Sequence, residues 1–379
     1  MKGKFQLLLV AAGVLVPMTP AMAQLPVITS LSRNGQLVCT NLLPRGVAVV
    51  EWAPSPSGPW TNSWAGLTGV LADSNGVISV SVPMFYRVRG TLPPTNGMAL
   101  VPAGSFIIGN STADSDITDA SPTNVYVSGF YMDVNLVTWD LWRSVYDVAT
   151  NVLGYSFYLA GTSAGTNYPV TTIGWMDCAK WCNARSQLAG LTPVYYTDAG
   201  LTQVFTNGSA SGLTPDNRPY VNWGANGYRL PTEAEWEKAA RGGYAGLRFP
   251  WGNTISETQA NYYASSSSFN YDLGPDGPNP LGFGGDGPTP VGSFPLNGYG
   301  LSDMGGNVIE WCWDYYAQPP YPAGSPYLGG SDPRGPTTVA AFVNRGGHYD
   351  APPSTLRCAF RLSGSSPIGT RGFRCVRKP

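Results

Sequence analysis

The chain has 379 residues, carries a net charge of −1 and has charged side chains at only 12% of its positions. This near-neutral balance excludes the broad basic surface with which proteins bind nucleic acid or acidic membranes. The 47 glycines and 34 prolines are typical of disordered chains, but 12 Trp, 21 Tyr and 13 Phe supply the apolar surface of a packed core. We therefore expect a folded, loop-rich protein that is long enough for two domains.

The segment 1–23 has the three parts of a signal peptide. Two lysines near its start precede an apolar run over residues 5–16, and small residues lead to a cleavage point after Ala23. A membrane anchor is the alternative, but the run is shorter than the roughly 20 apolar residues of a spanning helix, and two prolines follow it. We predict cleavage near Ala23, a mature chain that begins at Gln24, and a secreted or periplasmic location without a membrane span.

Residues 24–92 have the pattern of a small all-β module. Apolar residues alternate over 77–82 after an Asn-Gly pair that suits a tight turn, and further strands are predicted over 47–52 and 84–88. Residues 93–97 contain two prolines and a glycine, which interrupt both helices and strands, so we interpret them as a linker to a second domain.

Three helices are predicted in the second domain, over 138–146, 175–188 and 231–240. The first begins at a threonine that can cap it, and the second ends near a glycine. In the third, Thr232 stands three residues before Glu235, which is the spacing of a capping box. The rest of this domain has the composition of long loops.

The single histidine, His348, limits the chemistry. Zinc sites built on several histidines, two-histidine iron sites and the metalloprotease HExxH motif are excluded. A Ser-His-Asp arrangement would have to use this residue. A lone histidine is more often a hydrogen-bonded structural residue than a catalyst.

Six separate stretches of the second domain resemble, in the same order, those of the sulfatase-modifying factor or formylglycine-generating enzyme family. They are MALVPAGSFIIGN (98–110), GYRLPTEAEWEKAARGG (227–243), FPWGN (249–253), NGYGLSDMGGNVIEW (297–311), NRGG (344–347) and GFRCVR (372–377). The resemblance covers 98–379 and implies an α+β, C-type-lectin-like formylglycine-generating-enzyme fold with little regular structure, here preceded by the small all-β module.

Catalytic members of that family oxidise a sulfatase cysteine to formylglycine with a copper(I) ion held by two cysteine thiolates, since soft thiolates select Cu(I). In those members the two cysteines lie between the RGG motif and the next Arg-Cys. In this chain the corresponding segment, 348–356, contains no cysteine. The resemblance therefore does not predict copper here, and no catalytic residue is assigned.

The resemblance also implies two disulfides. Cys182 and Cys375 match one bridged pair of the family. Cys358 matches a second bridged position, but its usual partner is Ala240 here, so Cys312 is the substitute that we expect. Each bridge would close a long loop and stabilise the fold by at most about 4–5 kcal/mol.

Cys39 and Cys178 are left over. Cys178 lies one helical turn before Cys182, so the two share a helix face. A buried thiol, or a bridge between Cys178 and Cys39, is the simpler interpretation, and a metal or redox site built on Cys178 stays open.

Calcium is the ion that the resemblance implies. The matching ligands are the carboxylates of Asp303 and Glu310 and the main-chain carbonyls of Gly306 and Val308, a set of hard oxygen donors that suits Ca²⁺. The alternative is a plain turn in which Glu310 pairs with an arginine. A second, weaker match would use Asn261, the carbonyl of Tyr262 and an aspartate across the loop, either Asp286 or Asp276.

Seven arginines lie in the region that the resemblance covers and are able to line an anion-binding cleft or to hold the fold together. We prefer the second interpretation, in which most of them pair with the glutamates of the third helix and with Glu310. They are Arg229, Arg241, Arg345, Arg357, Arg361, Arg371 and Arg374.

Three functions remain open. The first is a binding or scaffold domain for a protein, peptide or glycan, with its site around His348, Tyr349 and Asp350, near Trp223 and Trp251. The second is a formylglycine-generating oxidase with displaced metal ligands. The third is a different enzyme on the same fold. Relatives with iron-dependent sulfur chemistry carry a histidine-rich helical domain, which one histidine excludes here.

Overall fold

The computed structural model describes residues 27–31, 37–40, 48–53, 85–90, 97–208, 218–337 and 341–379. The chain divides into two compact units, Met1–Pro93 and Pro94–Pro379. The predicted signal peptide and the strand predicted over 77–82 lie outside the described residues. In the described part, no helix is long and apolar enough to cross a bilayer.

The first unit contains two antiparallel strand pairs. β1 (Val27–Leu31) pairs with β2 (Leu37–Thr40), and β3 (Ala48–Ala53) pairs with β4 (Phe85–Gly90). The strands that the sequence pattern predicts at the positions of β3 and β4 are confirmed, each displaced by one or two residues along the chain.

The described residues of the second unit form three helices and many short strands. The helices are α1 (Trp139–Asn151), α2 (Trp175–Leu188) and α3 (Glu233–Ala240). The strands are β5 (Met98–Val101), β6 (Gly104–Ile108), β7 (Thr123–Val127), β8 (Phe130–Asp133), β9 (Tyr195–Tyr196), β10 (Tyr220–Val221), β11 (Tyr263–Ala264), β12 (Gly277–Pro278), β13 (Ile309–Tyr315), β14 (Gly330–Ser331), β15 (Phe342–Arg345), β16 (Leu362–Gly364), β17 (Arg371–Gly372) and β18 (Val376–Arg377).

Three larger sheets organise these strands, with the orders β16-β15-β13-β17, β14-β7-β6 and β18-β8-β5. Most of the remaining chain consists of loops and turns, together with short 3₁₀-helices at Phe283–Gly285, Pro326–Leu328 and Pro353–Leu356. The fold is therefore α+β with little regular structure, as the sequence predicts.

The helix boundaries differ from the predicted ones in two places. Helix α1 continues to Asn151, five residues beyond the predicted end, because Trp142, Val145 and Ala149 extend one buried face at helical spacing. Helix α3 begins at Glu233 and not at residue 231, since Thr232 is the N-cap of a complete capping box. The predicted bounds of α2 are confirmed.

The two principal cores lie on either side of the central sheet strand β13. In the first core, α1 and α2 meet through stacked rings of Trp142 and Trp181, with centroids 5.7 Å apart and planes 5° apart. The ring of Phe373 packs edge-on against both. Helix α3 fills the second core, and its eight residues are all buried.

Burial of α3 is possible because its charges are neutralised inside the core. Glu233 pairs with Arg361, Glu235 with Arg229, and Glu237 with both Arg241 and Arg345. The other arginines of the seven follow a similar pattern: Arg374 pairs with Glu310, Arg357 with Asp114 and Asp116, and Arg371 donates to Asn344 and to the carbonyl of Ser366. The structural interpretation of these arginines is confirmed, so they do not form an open anion-binding cleft.

Candidate functional site

The segment 348–356 lies packed against neighbouring loops of the second unit. The backbone N–H of Tyr349 donates to the carbonyl of Asn307 at 2.9 Å. Leu356 is fully buried, and a Cβ on Gly347 would lie 2.7 Å from its Cδ1, so the two ends of the segment are in contact. The segment is thus a closed turn, and it contains no sulfur ligand.

His348, Tyr349 and Asp350 form the outer part of this turn. The imidazole is half-buried, and burial lowers the pKa of His348. Its Nδ1 accepts the backbone N–H of Asp350 at 3.3 Å. Tyr349 is half-buried and Asp350 is exposed, so the three residues offer a small, partly exposed polar surface.

The two tryptophans that we predicted beside this turn occupy different places. Trp251 packs against the small apolar cluster that contains Leu356, and is thereby close to the turn. Trp223 packs edge-on against Trp313, with ring centroids 5.7 Å apart, and lines a separate small cavity with Arg334. Because its ring is held there, Trp223 belongs to that other cavity.

A cavity of about 500 Å³ opens beside the first turn of α2, and we call it the aromatic cavity. It is lined by Ser156, Phe157, Tyr158, Gly174, Trp175, Met176, Asp177, Lys180, Gly208, Phe342, Ser365 and Pro367. Trp175 and Phe342 stack face to face, with centroids 4.1 Å apart and planes 8° apart. Tyr158 is 85% exposed at the cavity, so a large aromatic surface faces solvent there.

Among the described residues that line the aromatic cavity, the charged side chains are a buried pair. The Nζ atom of Lys180 lies 3.1 Å from Oδ1 of Asp177 and donates to the carbonyl of Ser156 at 2.7 Å. The carboxylate also accepts the backbone N–H groups of Tyr158 at 2.9 Å and Leu159 at 3.1 Å. Both charges are therefore already compensated within the protein, and the cavity presents mainly apolar surface to a ligand.

Sequence reasoning missed this cavity because its wall comes from segments far apart in the chain. The one local signal was the i, i+3 pair of Asp177 and Lys180 within the predicted α2. Phe342 lies on β15 and Pro367 follows β16, and no sequence pattern links these residues to α2.

The five cysteines of the second unit are buried and unbridged. They are Cys178, Cys182, Cys312, Cys358 and Cys375. The sulfur atoms of Cys182 and Cys375 lie 3.5 Å apart, whereas Cys312 and Cys358 share an apolar cluster. Both predicted disulfides stay predictions, the first with its two sulfurs already adjacent.

Burial raises the pKa of four of these thiols, those of Cys178, Cys182, Cys312 and Cys358. A metal or redox site needs accessible thiolates, which are favoured by a lowered pKa. Burial thus disfavours the thiolate form of these four cysteines. Cys39 lies on β2 of the first unit.

The residues of the predicted calcium site fit a cation only in part. Oδ2 of Asp303 accepts the N–H of Gly292 at 2.9 Å, and Oδ1 is buried without a hydrogen-bond partner in the described residues. Burial raises the pKa of Asp303. Both oxygens of Glu310 are bound by Arg374, at 2.8 and 2.9 Å. Asp303 thus has a free donor atom for a hard cation, whereas the charge of Glu310 is already neutralised, as the alternative interpretation expects.

The second predicted calcium site adjoins the first. The carbonyl of Asn261 accepts the N–H of Asn307 at 2.8 Å, and its side-chain amide donates to the carbonyl of Gly287. The hydroxyl of Tyr262 donates to Asp272 at 2.5 Å. Asp286 is exposed, as is the alternative, Asp276, whose carboxylate accepts from Ser266 and Ser267. Within the described ranges, no three His, Cys, Asp or Glu side chains are grouped to hold a metal ion.

Residues 88–379 match the model of the FGE-sulfatase family, the sulfatase-modifying factor enzyme 1-like domain. The chain belongs to this family. It is 31% identical over 251 residues to the chaperone protein LppX of Paenibacillus barcinonensis, covering 62% of this chain and 76% of that protein. It is 30% identical over 302 residues to the formylglycine-generating enzyme of Mus musculus, covering 74% of each.

Other relatives of this family member are matched over a smaller share of their length, such as 23% of the serine/threonine-protein kinase pkn1 of Chlamydia caviae. Among solved structures, Treponema denticola variable protein 1 is similar, with a TM-score of 0.56 and 26% identity over 74% of this chain and 95% of that one. The fold is thus the C-type-lectin-like formylglycine-generating-enzyme fold. The differing names of the relatives mean that membership alone does not assign an activity.

Proposed function

We propose that this member of the sulfatase-modifying factor family is exported and acts as a non-oxidase binding or scaffold protein, with the aromatic cavity as its main ligand site. Two features of the chain together carry the proposal: segment 348–356 is closed and free of cysteine, and an open aromatic cavity lies elsewhere, beside α2. The position that serves oxidation in catalytic members has no thiolate ligands, while a different part of this chain offers space for a ligand.

The residues present do not fit a copper(I) ion. Copper(I) is held in proteins by soft ligands, chiefly thiolates and thioethers. The segment 348–356 has neither, and the five cysteines of the second unit are buried. We therefore derive no oxidation step for this chain.

The aromatic cavity has the properties of a ligand site. Its volume of about 500 Å³ lies in the range of small-molecule and side-chain pockets, and it is lined mainly by aromatic and apolar groups. Because Asp177 and Lys180 satisfy each other, a charged ligand would gain no free partner at this point. The site suits an uncharged group with an apolar face, carried by a peptide, a protein or a glycan.

Replacement of Tyr158 tests the cavity. Peptide and glycan arrays are probed with the exported full chain, and the strongest ligand is titrated against Tyr158→Ala and Tyr263→Ala. Tyr263 is also exposed, at 42%, but lies outside the cavity, so it is a matched control. We expect about a tenfold loss or more of affinity for Tyr158→Ala, as for truncated aromatic anchors of interfaces. Equal affinities of the two variants would remove the cavity from the proposal.

A separate experiment tests the proposal that the chain has no oxidase activity. The full chain is loaded with copper(I) and assayed on a peptide that contains Cys-x-Pro-x-Arg, beside a catalytic family member as control. We expect no aldehyde in the peptide. Aldehyde formation would establish the alternative, a formylglycine-generating oxidase with displaced ligands.

Export, disulfides and calcium complete the proposal. In an oxidising compartment a bond between Cys182 and Cys375 is favoured by their 3.5 Å sulfur separation, and a bond between Cys312 and Cys358 is the second expected bridge. Calcium would bind through the free oxygen of Asp303. Peptide mapping of the exported protein without reduction checks the two bridges. N-terminal sequencing that finds Gln24 first checks the cleavage site.

A further inference from the structure

A second, smaller cavity of about 130 Å³ lies apart from the aromatic cavity, and we call it the cationic cavity. Its wall is formed by the turn between β7 and β8, the start of α3, the residues that follow β14, and the end of the chain after β18. Trp223, Arg334 and Lys378 are among its lining residues. None of these elements contributes to the aromatic cavity.

Arg334 is the unusual residue of this cavity. Its guanidinium lies over the ring of Trp223, 4.5 Å from the centroid. Among the described residues it has no carboxylate within 4 Å and no hydrogen-bond partner, in contrast to the paired arginines around α3. Burial lowers the pKa of Arg334, and the nearby charge of Asp332 opposes this shift only in part. The stacked guanidinium thus keeps its hydrogen-bond donors available.

The other charges of the cavity leave a small positive excess. Arg229 is neutralised by Glu235, whose two oxygens accept from it at 2.5 and 2.6 Å. The carboxylate of Asp332 accepts the N–H of Ser128 at 2.6 Å and its hydroxyl at 2.7 Å, so it is directed at the β7–β8 turn. With Lys378 added to Arg334, the lining carries one positive charge more than it carries negative ones.

The backbone of the loop that carries Asp332 and Arg334 is fixed at Asp332. Its φ of 46° lies in the left-handed region, which a non-glycine residue occupies at a cost. The N–H of Asp332 donates to the carbonyl of Tyr126 at 2.8 Å, which ties the loop to β7. The loop that carries Arg334 is therefore fixed at the cavity.

We propose that the cationic cavity binds a single carboxylate group, which accepts two hydrogen bonds from the guanidinium of Arg334 and is attracted by Lys378. A guanidinium offers two parallel N–H donors whose spacing matches the two oxygens of a carboxylate. The volume of about 130 Å³ admits such a group with a short substituent. This site is independent of the aromatic cavity and of the proposed function.

The charge of the cavity favours a monoanion over phosphate. A dianion would gain from Arg334 and Lys378 but would be repelled by Asp332 and by the already paired Glu235. A carboxylate carries one charge, which equals the positive excess of the lining. Replacement of Asp332 by asparagine would remove this discrimination, because it removes one negative charge and keeps an acceptor oxygen for Ser128.

The test uses calorimetric titration of the full chain with sodium acetate and with N-acetylglycine, at an ionic strength kept constant with sodium chloride. Acetate represents a free small acid, and N-acetylglycine represents the end of a peptide chain. We expect saturable binding of at least one of them, and about a tenfold or larger loss of affinity in Arg334→Gln, the loss of one bidentate charged contact. Arg143→Gln is the matched control, because Arg143 is also exposed and stacks on Trp139 and Tyr146, at 5.6 and 5.2 Å, away from the cavity.

Two further variants examine the recognition itself. Arg334→Lys keeps the charge and loses the fork, so we expect several-fold weaker binding than in the unchanged chain. Asp332→Asn is expected to bind phosphate more tightly than the unchanged chain does. The proposal is overturned if Arg334→Gln binds as well as Arg143→Gln, if Arg334→Lys binds as the unchanged chain does, or if phosphate binds the unchanged chain more tightly than acetate.

Discussion

Helices α2 and α3 both enter the core with acidic residues in their first turns, but they use them differently. The carboxylate of Asp177 on α2 is paired with a lysine three residues later, so its charge is compensated within the helix. The three glutamates of α3 are paired with four arginines, three of which lie outside the helix and its immediate ends. The local pair of α2 borders the aromatic cavity, whereas the long-range pairs of α3 tie a fully buried helix to distant parts of the chain. We conclude that α3 holds the fold together, and α2 borders the binding site that we propose.

The largest expected effect concerns Glu237. This residue is fully buried, and its carboxylate binds Arg241, Arg345 and the N–H of Gly109. The change Glu237→Gln removes the counter-charge of Arg241 and the nearer of the two carboxylates beside Arg345. Breaking buried pairs of this kind typically costs about 3–5 kcal/mol of unfolding free energy. Urea denaturation of the full chain measures the loss.

The matched control for Glu237→Gln is Asp147→Asn, which breaks an exposed pair with Arg143. Exposed ion pairs contribute about 0–1 kcal/mol, so this change is expected to be nearly neutral. Similar losses for both variants would contradict the assignment of α3 as the stabilising element.

The next effect is a pH dependence from Asp314, which adjoins α3. Burial and then the nearby charge of Glu233 raise the pKa of Asp314 to about 8, from 3.8. Because the folded-state pKa is the higher one, this carboxyl contributes stability that is complete below about pH 4 and is lost as the pH rises towards 8. We expect the free energy of unfolding to fall by roughly 1–3 kcal/mol between pH 5 and 8.

Asp314→Asn isolates that contribution. The amide keeps an oxygen for the N–H of Glu233, which donates to Oδ2 of Asp314 at 2.7 Å, but it does not titrate. The difference in unfolding free energy between the two chains, measured by denaturation at several pH values below 8, should decrease along the series towards low pH. Lys238, whose pKa is lowered to about 8 by burial, acts above this range and is common to both chains. A constant difference would contradict the assignment.

The contrast between the two helices also shows what the sequence can predict. The capping box of α3, the bounds of α2 and the pairing of the motif arginines with glutamates follow from local spacing and from the family resemblance. The aromatic cavity does not follow from them, because Trp175 on α2 and Phe342 on β15 lie far apart in the chain and stack only once it has folded. The position of Trp223 against Trp313 is a similar case, because nothing in its local sequence indicates this contact.

A smaller effect is expected from calcium. The unpartnered Oδ1 of Asp303 is explained either by a bound cation or by a proton on the carboxyl, whose pKa is raised by burial. If calcium binds, a concentration ten times its Kd stabilises the fold by about 1.4 kcal/mol, and chelation removes this gain. Thermal unfolding with calcium and with a chelator, in the unchanged chain and in Asp303→Asn, measures it. A melting temperature that chelation leaves unchanged would favour the proton.

The smallest effect on stability, a change in unfolding free energy below about 0.5 kcal/mol, is expected for a substitution at the entrance of the aromatic cavity. The same substitution is expected to have a large effect on ligand binding. Ser365 lines the aromatic cavity and is exposed, so Ser365→Phe would fill its entrance without disturbing the core. Its neighbour Ser366 is also exposed but does not line the cavity, and Ser366→Phe is the matched control. We expect the first variant to lose the ligand found with the unchanged chain and the second to keep it, while denaturation curves of both stay unchanged. This outcome would separate binding at α2 from stability at α3. Glu237→Gln is expected to show the opposite result, a loss of stability with unchanged ligand affinity of the molecules that are folded. Loss of the ligand in both variants would show that the loop after β16, and not the cavity, makes the contact.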